Sequence, residues 1–318
     1  MAAKEGFRIM TVKTKKSASL SAALRTIREK FSAGASQSKR YTRSRFGNAV
    51  YVTFLIFMGL FSVLPLIYCI ATSLKPLDEL MIFPPRFFVS RPTAQNYLAL
   101  PGLLSNLRVP LSRYIFNSVF VSVVTTLLYV ISSTMAAFVL TKTRVKGRKV
   151  MFVCVQYALL FNTFTLAIPQ YLIFSYLGMI DTYWAYILPY IASTMGVFLM
   201  KQYMDGYVPD ALIEAAHIDG ADWFRIFSSI ILPIIKPCIL TLTLFTFLGL
   251  WNVGSSGTIF SEQLKTLPTV MSTIATGGLA RTGSSMAVSV IMMIPPILVY
   301  LISQSSIKET MGSAGIKG

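Results

Sequence analysis

Six long apolar stretches, separated by shorter polar segments, dominate the sequence. They lie at about residues 49–73, 114–141, 150–175, 183–204, 229–251 and 284–305. A membrane-spanning helix needs roughly 20 mostly apolar residues, so each stretch is long enough to cross a bilayer. Backbone groups in lipid must find their hydrogen bonds within the segment, which favours helices. The pattern predicts an all-α membrane protein with six transmembrane helices.

The same pattern divides the chain into two regions. Residues 1–47 are predicted to be a basic cytoplasmic amino-terminal tail, and residues 48–318 to form one transmembrane domain. The first apolar stretch is long enough to remain as an anchor, so we do not expect a cleaved signal peptide. The external loops are too short to hold an independent catalytic domain.

Composition and charge support a membrane location. The chain has 318 residues, of which 54% are hydrophobic and 13% charged, and a soluble domain of this length would expose too many apolar side chains. The net charge is +17, and much of it lies in residues 1–47 and in the short segment 141–149. Basic residues beside a span stay in the cytoplasm, which places both termini inside. The charge therefore indicates topology and contact with membrane lipid rather than nucleic acid.

A polar segment, residues 205–228, separates the fourth and fifth apolar stretches. Asp210, after Pro209, is predicted to cap a short helix through its carboxylate. Gly220 is predicted to end that helix in the left-handed conformation. Large aromatic residues follow, at Trp223, Phe224 and Phe227. A segment of this kind favours docking of another protein.

The segment 205–228 also resembles the signature loop of permease subunits of binding-protein-dependent ABC importers. The signature is Glu-Ala-Ala, three residues, glycine, nine residues and Ile-x-Leu-Pro. Its positions here are Glu214, Ala215, Ala216, Gly220, Ile230, Leu232 and Pro233. In that family the loop inserts into a cleft of the ATPase subunit and transmits its closure. The resemblance therefore implies an ATPase-coupling role for these residues, together with Asp219 and Ala221, and we call residues 205–228 the coupling segment.

Further stretches are similar to the sugar-importing, maltose-type branch of the family. They are residues 72–75, 116–118, 247–252 and 312–318. The resemblance implies the type I importer permease fold with a cytoplasmic coupling-helix loop, in the cell (inner or plasma) membrane of a prokaryote. It also implies carbohydrate uptake, with oligosaccharides as the solute, and partners: a second permease subunit, ABC ATPase subunits and an extracytoplasmic solute-binding protein. A non-sugar solute (a polyol, a glycerol phosphate or a peptide) and a non-transporting membrane sensor remain alternatives.

The sequence offers little catalytic chemistry. It has no phosphate-binding loop of the form Gly-x-x-x-x-Gly-Lys-Ser/Thr, so ATP hydrolysis is expected from a partner. His217 is the only histidine, and the three cysteines have no metal-ligand spacing. We therefore expect neither an enzyme nor a cofactor or metal site.

Polar residues within the apolar stretches are candidates for the solute pathway. Gln156 and Asn162 are costly to leave unpaired in lipid, but their spacing places them on different faces of a helix. By resemblance to the family, Trp251 and Asn252 are added at the outer mouth, although residues 253–257 lack the acidic or aromatic residue usual after this pair. For any one of them, hydrogen bonding between helices is the alternative role.

Overall fold

In the computed structural model, residues 45–104, 108–161, 163–255 and 257–314 are described; these contain helices and irregular segments and no β-strand. The chain separates into two compact units, residues 1–64 and residues 65–318. Most of the predicted basic tail (1–47), the pathway candidate Asn162 and residues 315–318 of the tail-like carboxyl end lie outside the described residues.

Helices account for most of the described chain. In chain order they are α1 (Arg45–Ser73), α2 (Leu77–Leu80), α3 (Gln95–Leu98), α4 (Leu100–Leu104), α5 (Leu111–Lys142), α6 (Arg148–Ala158), α7 (Thr163–Tyr176), α8 (Tyr183–Ile191), α9 (Thr194–Tyr207), α10 (Asp210–Ile218), α11 (Trp223–Arg225), α12 (Leu232–Trp251), α13 (Leu267–Ala275) and α14 (Thr282–Ala314). A π-helical turn (Ile226–Ile231) joins α11 to α12, and short 3₁₀ turns lie at Glu262–Leu264 and Leu279–Arg281.

The first unit is described only for the part of α1 up to Leu64. Its residues are mostly apolar, and one of its hydroxyl groups has a local acceptor. Ser62 Oγ donates to the carbonyl of Met58 at 2.9 Å, one helical turn earlier. Such a bond removes a hydroxyl donor from the surroundings, as lipid requires.

Five of the six predicted spans are helical segments long and apolar enough to cross a membrane within the described residues. They are Gly47–Ser73, Leu111–Lys142, Tyr183–Tyr207, Trp223–Trp251 and Thr282–Gln304. The third predicted span is not a single helix: it forms α6, of 11 residues, and α7, of 14 residues. The amides of Leu160 and Phe161 bond three residues back rather than four, which tightens the last turn and ends α6.

The fourth predicted span is also interrupted, between α8 and α9. At this break Ser193 caps α9 by accepting a hydrogen bond from the amide of Gly196 at 3.2 Å. On the other side of the break, Ser132 Oγ of α5 donates to the Ile191 carbonyl at 2.7 Å. Both ends of the break are therefore satisfied by side chains, so the interruption leaves these backbone groups paired in an apolar environment.

The helix α5 is central to the second unit. It packs against α8, α9 and α12, and almost one complete face of it is buried. One core cluster contains Phe138 with Met200 and Met204 of α9 and Ile235 of α12. A second cluster surrounds Tyr114 near the other end of α5. Because α5 contributes to both clusters, it links the two ends of the unit.

A hydrogen bond opposite a proline of α14 joins α12 to α14. Pro296 has no amide hydrogen, so the carbonyl of Met292, four residues earlier, has no donor within the helix. The indole Nε1 of Trp251 donates to this carbonyl at 2.8 Å. Trp251 is only 2% exposed and stacks on Phe247. The tryptophan therefore supplies the hydrogen bond that the proline removes.

Candidate coupling site

The coupling segment is organised around α10, which begins after Pro209. Its apolar side chains at Ile213 and Ala216 are three residues apart and buried, because that spacing places them on one helix face. Glu214 and Ala215 lie on the exposed side. The helix thus has one face in the protein core and one face free in the isolated chain.

The predicted capping role of Asp210 is wrong. Pro209 occupies the N-cap position without a side-chain hydrogen bond, and Asp210 is the first residue of the helix. The Asp210 carboxylate instead accepts a hydrogen bond from Lys142 Nζ at 2.7 Å. Asp210 lies one residue too late in the chain to act as the N-cap, because Pro209 already has the extended backbone of that position.

The predicted left-handed glycine is confirmed. Gly220 has φ of +78°, its amide donates to the carbonyl of His217 at 3.1 Å, and the amide of Ala221 donates to the carbonyl of Ala216 at 3.0 Å. These two bonds form the Schellman arrangement that satisfies the last carbonyls of a helix. Asp219 immediately before is exposed and forms the C-cap of α10.

The start of α11 uses a capping residue that sequence reasoning missed. Asp222 Oδ1 accepts a hydrogen bond from the amide of Arg225 at 2.9 Å. The signal was present in the sequence, because aspartate is a favoured N-cap residue and Asp222 directly precedes α11. Together with Gly220, this cap defines the bend between α10 and α11.

The aromatic residues of the coupling segment are only partly exposed. Trp223 contacts the His217 ring at 4.4 Å between centroids, and Phe227 packs at 5.1 Å from Phe138 of α5. Phe224 remains 76% exposed. The predicted aromatic surface therefore reduces mainly to Phe224, with Trp223 at its edge, while Phe227 joins the core.

The second half of the signature connects the segment to α12. Ile230 and Leu232 are partly buried against the core cluster, and Pro233 is exposed near the start of α12. The amide of Leu232 bonds to the carbonyl of Phe227, five residues earlier. This wider turn lies directly before the proline, which cannot donate to the carbonyl four residues earlier in a regular helix.

A groove of about 560 Å³ lies between α10 and the segment that follows α5. Its lining residues are Thr141, Lys142, Arg144, Arg148, Asp210, Ile213, Glu214, His217, Ile218 and Trp223. Cations line one wall and carboxylates the other. Arg148 caps the end of α5 by donating to the carbonyls of Thr141 and Thr143 at 3.3 and 3.0 Å. The groove is suited to polar contacts with a partner, and within the described residues no three His, Cys, Asp or Glu side chains are grouped to hold a metal.

The pathway candidates are not brought together by any described contact. Gln156 is exposed on α6. Trp251 is buried and bonded to Met292, as described above, and Asn252 is exposed and donates to the Leu248 carbonyl at 2.9 Å. Both residues at the end of α12 thus have roles within the fold, and contact of any of these residues with solute stays a prediction.

Comparison with known proteins agrees with this architecture. Residues 129–313 match the profile of the family described as binding-protein-dependent transport system inner membrane component. The chain is 28% identical to the polygalacturonan/rhamnogalacturonan transport system permease protein YtcP of Bacillus subtilis, over 87% of this chain and 100% of that protein. It is 29% identical to the arabinooligosaccharides transport system permease protein AraQ of Halalkalibacterium halodurans, over 82% of this chain and 94% of that protein.

Among solved structures, the chain resembles a bacterial ABC transporter involved in the import of the acidic polysaccharide alginate. The TM-score is 0.71 at 23% identity, over 84% of this chain and 99% of that chain. This likeness confirms the predicted type I importer permease fold. With the family match extending from the middle of α5 almost to the end of α14 and including the entire coupling segment, this chain belongs to the family of binding-protein-dependent transport system inner membrane components.

Proposed function

We propose that this chain is a transmembrane subunit of an ABC importer for carbohydrate, with oligosaccharides as the solute class. It forms half of the pathway, and a second permease subunit forms the other half. Separate ATPase subunits supply the energy, and an extracytoplasmic solute-binding protein delivers the solute. Relatives named for polygalacturonan/rhamnogalacturonan and for arabinooligosaccharide transport support the solute class, since they match this chain along most of its length.

The observation that carries the proposal is the construction of the coupling segment. Its helix α10 is held by buried side chains on one face and by the Gly220 turn at its end. The opposite face presents Glu214, Ala215 and Ile218, of which Ile218 is 86% exposed. The small Ala215 side chain leaves the helix backbone open to a partner surface, and the exposed Ile218 side chain offers that partner apolar area to bury. Such a rigid, exposed element suits docking of an ATPase.

In this mechanism the chain performs no bond-breaking chemistry. Closure of the ATPase subunits on binding ATP displaces α10, and the displacement reaches α9 and α12, to which the coupling segment is connected. A change in the packing of these helices against α5 then alternates the access of the pathway. A packed helix core has discrete arrangements rather than continuous ones, which makes such a switch possible.

The orientation of the chain is part of the proposal. The coupling segment, the basic segment 141–149 and both termini lie on the cytoplasmic side of the inner membrane of a prokaryote. The basic tail, residues 1–47, contacts anionic lipid headgroups at that surface. Positive charge near spans supports this arrangement, because basic loops are retained in the cytoplasm.

Reconstitution tests the proposal. The chain is purified from native membranes in mild detergent, the co-purifying proteins are identified, and the complex is placed in liposomes with the binding protein. We expect ATP-dependent uptake of labelled arabino- or galacturono-oligosaccharides and no uptake with ADP. Uptake of glycerol phosphate, polyols or peptides in place of oligosaccharides would overturn the solute class. Purification without an ATPase would overturn the importer.

A further inference from the structure

Lys142, the last residue of α5, connects that helix to the junction between α9 and α10. Its Nζ donates to the carbonyl of Val208 at 2.6 Å and to Asp210 Oδ1 at 2.7 Å. Val208 ends α9 and Asp210 begins α10, with Pro209 between them. One ammonium group therefore holds both sides of the junction through which α10 is joined to α9.

Lys142 differs from the other cations nearby because its side chain is buried. Its side chain is only 4% exposed, whereas Arg144, Lys146 and Lys149 are exposed. Retention of positive charge in the cytoplasm accounts for exposed cations, but it does not require burial of any of them. A buried ammonium is costly unless hydrogen bonds replace those that it loses with water. The burial of Lys142 therefore depends on its bonds to Val208 and Asp210 and not on membrane topology.

The two partners of Lys142 contribute unequally. The Asp210 side chain is 79% exposed, so water screens its attraction to the ammonium. Val208, the C-cap residue of α9, is only 2% exposed, so the bond of its carbonyl to the ammonium is screened by water much less. The bond to Val208 is therefore the contact that determines the position of the junction.

The helix that carries Lys142 packs against the helices on both sides of the coupling segment. The helix α5 contacts α9, which precedes the segment, and α12, which follows it. Phe138 of α5 shares a core cluster with Val208 and with Ile213 of α10. A displacement of α10 can thus reach α5 through these packed side chains, without passing along the backbone.

We propose that Lys142 is a positioning residue that transmits movement of the coupling segment to α5. This role rests on the proposed importer function and adds a residue outside the Glu-Ala-Ala signature to the coupling apparatus. Without the ammonium, α10 is displaced by the ATPase but α5 follows incompletely. ATP is then hydrolysed with less solute moved per cycle.

The test is the ratio of solute uptake to ATP hydrolysis in the complete transporter in liposomes. For Lys142→Met we expect this ratio to fall roughly fivefold or more, the lower range of typical coupling effects. Lys142→Arg, which keeps the charge and the donors, should retain most of the wild-type ratio. Asp210→Asn should have a smaller effect than Lys142→Met, because Val208 keeps its donor. Lys149→Met, at an exposed position in the same segment, is the matched control and should leave the ratio unchanged.

A purely structural role would give a different result. It would lower uptake and hydrolysis in proportion and leave their ratio at the wild-type value, and this outcome overturns the proposal. If Lys142→Met no longer retains the ATPase, Lys142→Gln, which keeps a donor without charge, is measured instead. Loss of the ATPase in that variant as well makes Lys142 a docking residue and also overturns the proposal. Absence of uptake by the wild-type complex is a separate result, since it contradicts the importer function itself.

Discussion

At the scale of single residues, Gly220 determines how α10 ends. Its φ of +78° is unfavourable for residues with a Cβ, although no atom would contact a Cβ there within 4 Å. The requirement for glycine is therefore conformational rather than steric. The carbonyls of Ala216 and His217 depend on this turn for their hydrogen bonds.

We expect Gly220→Ala to destabilise the protein by about 1–2 kcal/mol, the usual cost of the left-handed conformation. Gly220→Asn should cost less, because asparagine adopts this conformation more readily. Thermal unfolding of the detergent-solubilised chain measures both. The matched control is Gly249→Ala, at an open helical position of α12 without positive φ, which should be neutral or slightly stabilising. Equal stability of the Gly220 and Gly249 variants would contradict the expectation.

At the scale of elements, a second glycine allows α9 to approach α5. A Cβ on Gly196 would lie 2.3 Å from Ser133 Oγ and 2.7 Å from Tyr129 Cε1. Both side chains belong to the buried face of α5. Here the requirement is for space, as in other closely packed membrane helices.

Gly196→Ala should therefore destabilise the packing of α9 on α5 by about 1–3 kcal/mol, the range for overpacked cores. Combining it with Ser133→Ala removes the closest contact and should recover part of the loss. Thermal unfolding, again with Gly249→Ala beside it, measures the difference. A Gly196→Ala variant as stable as the wild type would show that the helices separate without cost.

The contact between α12 and α14 offers a test by rescue. Trp251→Phe keeps the stacking on Phe247 but removes the donor to the Met292 carbonyl, so we expect a loss of about 1–3 kcal/mol. Pro296→Ala restores an amide that can reach the same carbonyl within α14. Trp251→Phe should therefore cost less in the Pro296→Ala background than in the wild type. Additive losses of the two changes in thermal unfolding would refute this explanation.

At the scale of the whole second unit, Asn117 holds together parts that are far apart in the sequence. Its Nδ2 donates to the carbonyls of Gln263 and Lys265 at 2.8 and 2.9 Å, and its Oδ1 accepts from the Tyr183 hydroxyl at 2.8 Å. Asn117 is fully buried. The amide thus joins α5, α8 and the segment before α13.

We expect Asn117→Ala to cost about 3 kcal/mol or more, because it leaves several buried polar groups without a partner. The segment around Gln263 should also become accessible to protease. Asn252→Ala, which removes one local bond of an exposed side chain, is the control and should change stability by less than about 0.5 kcal/mol. Protection of the segment in the Asn117 variant would mean that other contacts hold it.

The sequence by itself determined the features that depend on local properties. Hydrophobic length predicted the spans, since transfer into lipid depends on the composition of each segment. Gly220 predicted a left-handed helix end, and the spacing from Glu214 to Pro233 matched the family signature. These signals need no knowledge of what lies across the fold.

Only the tertiary structure decided which polar groups meet. Hydrophobic periodicity does not encode the bond of Asp210 to Lys142 or the bond of Trp251 to the Met292 carbonyl, which Pro296 leaves without a helical donor. It does not encode the turn that interrupts the third span either. A buried polar group must find some partner, but the sequence does not say which one, because the choice depends on packing between segments distant in the chain. Trp251 is an example: the family resemblance indicates a pathway residue, and the structure adds a hydrogen bond to Met292 that no sequence pattern predicts.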